Sequence, residues 1–120
     1  MREIQIGDRC FRLFADQFDG KWSGRAVRAD TGDPFGVDVS GATEDDALAR
    51  LTRWLEWQHA HTEALDALQQ AERAYHRAVA GSAFASASDR PSPLERRKAS
   101  LDAVEIARIR LDTVRALQPH

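Results

Sequence analysis

The spacing of hydrophobic positions changes near residue 43, and that change divides the chain into two kinds of structure. Up to residue 41, apolar and polar side chains alternate over short runs broken by turn residues. Ile4 and Ile6 form the first run, and Gly7-Asp8 suits a two-residue hairpin turn. Phe11 and Leu13 alternate with Cys10 and Arg12, which predicts a second strand from Arg9 to about Ala15. Asp19-Gly20 is the next turn signal and leads into a strand from Lys21 to Ala29. Asp30-Thr31-Gly32-Asp33-Pro34 reads as a loop. Phe35, Val37 and Val39 then alternate with Gly36, Asp38 and Ser40, the most regular run of the set. Such short connections require antiparallel neighbours, and alternation gives the sheet one dry and one wet face. The dry face is expected to carry Ile4, Ile6, Phe11, Leu13, Trp22, Phe35, Val37 and Val39.

From Thr43 to Val79 the spacing is helical, in a stretch without Pro or Gly. Thr43 is the expected N-cap, with Asp46 three residues on and Glu44 and Asp45 placing negative charge in the first turn. Gly81 is the expected stop, with Arg77 in the last turn. Such a helix is about 55 Å long, too long to lie against one small partner. Its front face, Ala47, Leu48, Leu51, Trp54 and Leu55, is assigned to the sheet. A polar interval follows, with Gln58, His59, His61 and Thr62 sharing it with Trp57 and Ala60; Trp57 falls at the margin of the front face. Leu65, Leu68, Ala71, Tyr75, Ala78 and Val79 then make a second face, assigned to another helix.

That other helix begins sharply. Ser92 as N-cap, Pro93 at the first helical position and Glu95 at the third form a start signal, and the pattern runs to about Leu117. Residues 81–92 are small and polar apart from Phe84, which predicts a flexible connection long enough for an antiparallel return. The expected fold is therefore α+β, in one domain. A β-meander of three or four strands (1–42) packs on a long helix (43–80), a loop (81–92) follows, and a second helix (93–117) completes a coiled-coil-like helical hairpin.

The second helix carries more apolar directions than one partner needs. Leu101, Val104, Ala107, Leu111 and Val114 form one stripe, while Ile106, Ile109 and Leu117 lie on another side. Self-association into a four-helix arrangement covers the surplus, and two-fold dimers are the commonest oligomers. A homodimer is expected, with Leu101, Val104, Ile106, Ile109, Leu111 and Leu117 as interface candidates.

Composition narrows the classes. At 120 residues the chain is long enough to fold without staples. A formal net charge of -2 gives no overall attraction to nucleic acid or anionic membrane. Cys10 is the only cysteine, which excludes an internal disulfide and a four-thiolate zinc site. No apolar run approaches the roughly 20 residues of a membrane span, and Arg2-Glu3 after Met1 is no signal core. These features predict a cytoplasmic protein. The excess of Arg over Lys (Lys21 and Lys98 only), with frequent Ala, hints at a GC-rich bacterial source.

Candidate chemistry is sparse. Glu56, His59 and Glu63 share a helix face with the Glu-x-x-His spacing of di-metal bundles. The second helix offers Asp102, Glu105 and Asp112 but no second Glu-x-x-His, and the three residues equally fit a solvated face with i,i+4 pairing. Neither a metal nor a cofactor is expected. Glu72 and His76, and His61 one turn after Trp57, suit structural positions; His120 is terminal, and Cys10 reads as an inert strand thiol. With no Gly-rich phosphate loop and no nucleophile elbow, enzyme activity is not expected. Arg9, Arg12, Lys21, Arg25 and Arg28 on the strands, with Phe14, and Arg96-Arg97-Lys98 on the second helix are the basic groups a nucleic acid would meet. Glu3, Asp8, Asp16 and Asp19 dilute them, so nucleic-acid binding is not expected.

Gly20-Lys21-Trp22, Ala26-Val27, Phe35-Gly36-Val37-Asp38-Val39 and Ala42-Thr43-Glu44-Asp45-Asp46-Ala47-Leu48 together resemble the sheet-and-helix half of HicB-like antitoxin domains over residues 20–55. The resemblance implies strands packed on a helix that starts with a Thr-x-x-Glu-Ala-Leu-type motif. The family's Pro-Gly-Cys segment is absent, and a helical hairpin stands where a DNA-binding module would follow, so no functional residue is carried over. Three functions are thus in view. The first is a non-enzymatic interaction or adaptor protein that self-associates through its hairpin. The second is an antitoxin-like regulator binding a protein or nucleic acid through its sheet, and the third is a helix-bundle metal protein.

Overall fold

Local turn chemistry sets the sheet. In the computed structural model, which describes residues 1–82 and 92–119 without the side chains of Val37 and Ser82, the elements are β1 (Arg2–Ile6), β2 (Arg9–Phe18), β3 (Lys21–Arg28), β4 (Pro34–Gly41), α1 (Glu44–Ser82) and α2 (Pro93–Ala116). The strands pair in sequence order, each antiparallel to the next. Asp19 and Gly20 both take positive φ, 54° and 77°, as a type I′ hairpin turn demands. β2 extends to Phe18, past its expected end at Ala15, because Asp16, Gln17 and Phe18 pair with Ser23, Trp22 and Lys21. Backbone pairing next to a tight turn outweighs the loss of an apolar pattern there.

β4 departs from the even alternation expected of Phe35, Val37 and Val39. Phe35 stands opposite Ala26 and Val39 opposite Gly24, so Arg25 alone spans the three residues between them. This is a β-bulge. Gly36 within it has φ of 86°, and a Cβ there would lie 2.6 Å from Cζ3 of Trp54. Phe35 and Val39 still pack on the core, and the expected place of Val37 in the dry face falls on a side chain outside the described set.

The chain forms two compact units, one containing Met1–His59 and the other Ala60–Leu117. α1 runs through both, and the division falls in its polar interval. In the first unit Ile6, Phe11, Leu13 and Ala26 of the sheet meet Leu48, Leu51 and Leu55 of α1. Ile4, Ala15, Phe35, Val39 and Trp54 pack around them half-buried. Trp22 alternates with Gly24 and Ala26 onto the core side, as expected, but is half-buried and outside this cluster. α1 begins very close to the sheet. A Cβ on Gly41 would lie 2.6 Å from the Ala47 nitrogen, and one on Gly24 3.1 Å from the Ala47 carbonyl oxygen. Thr43 caps this end as expected, its Oγ1 accepting from the Asp46 N–H at 3.1 Å. Arg2, on the core side opposite Leu13, reaches Asp45 of the first helical turn at 3.8 Å.

In the second unit α2 packs against the rear of α1, and the fold is α+β. Ala64, Val104, Ala107 and Leu111 are buried, while Leu65, Leu68, Ala71, Tyr75, Ala78 and Val114 are only half-buried. α2 starts with the expected capping box. Ser92 Oγ accepts from the Glu95 N–H at 3.2 Å, and Glu95 Oε2 accepts from the Ser92 N–H at 3.1 Å. α1 continues through Gly81 to Ser82, so Gly81 is not its stop and Arg77 lies outside its last turn. A glycine with helical neighbours on its N-terminal side costs too little to end a helix by itself. The expected flexible connection, with Phe84, falls on residues 83–91, outside the described residues, as does His120.

Two stability predictions follow from this packing. Leu51→Ala, at a fully buried position, lowers unfolding free energy by about 2–5 kcal/mol; a urea midpoint unchanged from the parent contradicts the core assignment. The two glycines next to or within α1 should respond oppositely. Gly41→Ala forces backbone apart at Ala47 and costs about 1–3 kcal/mol, whereas Gly81→Ala meets nothing within 4 Å and stabilises by up to about 1 kcal/mol. Urea denaturation of both variants checks the contrast.

Candidate interaction surfaces

Strand pairing decides which charged residues share the open face of the sheet. Arg12, Phe14, Asp16 and Phe18 of β2 alternate away from the core and stand opposite Val27, Arg25, Ser23 and Lys21 of β3. The Arg25 guanidinium lies 5.5 Å from the centre of the Phe14 ring and 3.6 Å from Asp16 Oδ2. Arg12 is directly opposite Glu3. Arg28 stands opposite Phe11 and so belongs to the other face, as does Arg9 two residues before Phe11. Arg12, Lys21 and Arg25 therefore lie on the open face and Arg2, Arg9 and Arg28 on the other, and acids stand beside Arg12 and Arg25. This face is mixed in charge. Its exposed apolar feature is Phe18 at the hairpin tip, 83% accessible.

Arg9 and Arg28 line a shallow cleft with Asp8, Cys10 and Asp30 at one end of the sheet. Arg28 donates to Asp30 Oδ2 at 3.2 Å, and the Cys10 thiol is free and exposed. Among the described residues no polar or charged side chain is buried. The cleft thus offers charge in contact with water.

Glu56, His59 and Glu63 lie along one stretch of α1. Among the described residues no three His, Cys, Asp or Glu side chains are gathered to hold an ion. His59 is half-buried over the first hairpin, where a Cβ on Gly7 would lie 2.6 Å from its Cε1. Glu63 meets Arg110 of α2 at 3.9 Å, an ion pair with both partners about half exposed.

α2 divides its interface candidates. Val104 and Leu111 are buried within the chain, and Leu101 is 48% accessible at the edge of their line. Ile106, Ile109 and Leu117 are 69%, 65% and 70% accessible. At about 100° per residue, Ile106 and Ile109 point roughly opposite to Val104, Ala107 and Leu111. The outer line can be followed further than the three apolar residues that first mark it. Ala99, Asp102, Ile106, Ile109, Thr113 and Ala116 are all exposed and recur at alternating intervals of three and four. Only its two central members are large and apolar, so hydrophobic residues mark its middle and the spacing shows its full length. Thr113 adds to its apolar character, since its hydroxyl donates to the Ile109 carbonyl at 2.9 Å and leaves the methyl group as its outward chemistry.

No family model, curated protein or solved structure matches this chain. The site must be read from its own chemistry. Among the described residues no helix is long and apolar enough to cross a membrane.

Because Arg25 and Asp16 are both more than half exposed, their contact contributes little. Arg25→Ala should change the unfolding free energy by less than about 1 kcal/mol in urea titration. A larger loss would show that the open face helps hold the sheet together.

Proposed function

We propose that this is a non-enzymatic interaction protein that self-associates through its helical hairpin, with a second copy of the chain seated on the outer line of α2. The observation that carries this reading is the pair Ile106 and Ile109, each about two-thirds exposed at the middle of a helix whose other side already has its partner. Isolated exposed apolar residues are ordinary on protein surfaces, but two adjacent ones on a helical seam make a contact stripe. Among the described residues the second unit buries Ala64, Val104, Ala107 and Leu111, with Leu65, Leu68 and Tyr75 half-buried. A second hairpin laid on the first makes a four-helix arrangement, the usual way for such helices to gain a full core. A free exposed thiol and a lack of disulfides fit a reducing cytoplasm.

The open face of the sheet supports a second reading, an antitoxin-like regulator that binds a partner there. Phe18 and the Phe14–Arg25 pair are the observation in its favour, since aromatic and guanidinium planes together suit stacking contacts. Retention of RNA or DNA that weakens with salt would support it; no retention at low salt would remove the nucleic-acid form of it.

The primary reading is tested with the double substitution Ile106→Glu and Ile109→Glu. Light scattering at micromolar concentration should show a dimer for the parent and a monomer for the variant, with helical circular dichroism retained. A monomeric parent, or a variant with undiminished mass, overturns it.

A further inference from the structure

We infer that the two copies meet with their α2 helices antiparallel, Ile106 of one lying against Ile109 of the other. This rests on the self-association proposed above and specifies its geometry. The outer line Ala99, Asp102, Ile106, Ile109, Thr113, Ala116 has the spacing of a two-helix seam. Parallel and antiparallel seams differ sharply in which residues they bring together.

A parallel seam sets every residue against its own copy. Asp102 would face Asp102 inside the contact, and the run Arg96-Arg97-Lys98 would lie beside the same run. Both are like-charge contacts, and the first is also shielded from water. The compensating feature is Glu105 opposite Arg110, but Arg110 already holds Glu63 of its own chain at 3.9 Å.

An antiparallel seam centred between Ile106 and Ile109 removes both conflicts. Asp102 then faces Thr113 and Ala99 faces Ala116 of the second copy. The basic run comes to lie beside the last turn of the opposing α2, which carries the negative end of the helix dipole. That turn holds a single basic residue of its own, Arg115, so it has room for added positive charge. The unfavourable contact in this geometry is Glu105 with Asp112, both exposed at the rim, where water and salt screen it. Charge at the centre of the seam outweighs charge at its rim.

Cysteine cross-linking reads the geometry directly. In a Cys10→Ser background, Ala99→Cys and Ala116→Cys are made as separate proteins and oxidised alone or after mixing and exchange. Antiparallel helices put residue 99 about 25 Å from its own copy and next to residue 116. Each variant alone should therefore remain uncross-linked, and only the mixture should give a disulfide-linked dimer. Cross-linking of each variant with itself overturns the antiparallel assignment in favour of a parallel one. Dimers by light scattering that cross-link in no combination overturn the Ile106–Ile109 register. Monomers under reducing conditions mean that the self-association itself is wrong.

Discussion

The first unit depends on one contact between backbones. Ala47, in the opening turn of α1, sits so close to Gly41 and Gly24 that a methyl group on Gly41 would displace it and one on Gly24 would press on it. Where two backbones touch, neither can slide, and the position of the helix on the sheet is fixed. Leu48, Leu51 and Leu55 then fall over Phe11, Leu13 and Ala26. The Thr43 cap and the acids of the first turn satisfy the helix end beside that contact. Burial of the large side chains supplies the stabilisation, about 1.5–3 kcal/mol for each one fully buried. The glycines decide where that burial occurs.

Beyond the polar interval the same helix has a different task. Among the described residues its rear face meets α2 around Ala64, Val104, Ala107 and Leu111, with Leu65, Leu68 and Tyr75 half-buried beside them. α2 has a surplus of apolar surface on its other side, at Ile106 and Ile109. A second copy on the outer line of α2, as proposed, would cover that surplus. The sheet, by contrast, presents a face whose charges offset one another locally. It gives less indication of what it meets.

Features governed by neighbouring residues were legible in the sequence. The hairpin turn at Asp19-Gly20, the Thr43 cap and the Ser92–Glu95 capping box each need only a few adjacent residues, and the structure has all of them. Features set by distant contacts were not. The bulge in β4 arises where Gly36 meets the Trp54 ring, a contact made across the fold, so the alternation of Phe35, Val37 and Val39 promised a regularity the strand lacks. Ala26 enters the core cluster while Trp22, on the same side of β3, stays outside it, a difference in depth that alternation alone does not show. Gly81, with Arg77 before it, has the local signature of a stop, and the helix continues one residue beyond it to Ser82. For the candidate site, the outward Ile106 and Ile109 were evident from helical spacing, whereas Val104 and Leu111, from the same set, are consumed within the chain. The Glu56, His59 and Glu63 spacing was legible as a pattern, but spacing on one helix does not supply the ligands a metal needs from others.

The central claim is that the outer face of α2 is covered by a second copy of the same chain. Sedimentation equilibrium of the unmodified protein, from low to high micromolar concentration, tests it most directly. The account predicts that the mass approaches twice the 13.4 kDa of the chain and then stays constant. A mass of 13.4 kDa throughout that range would contradict it.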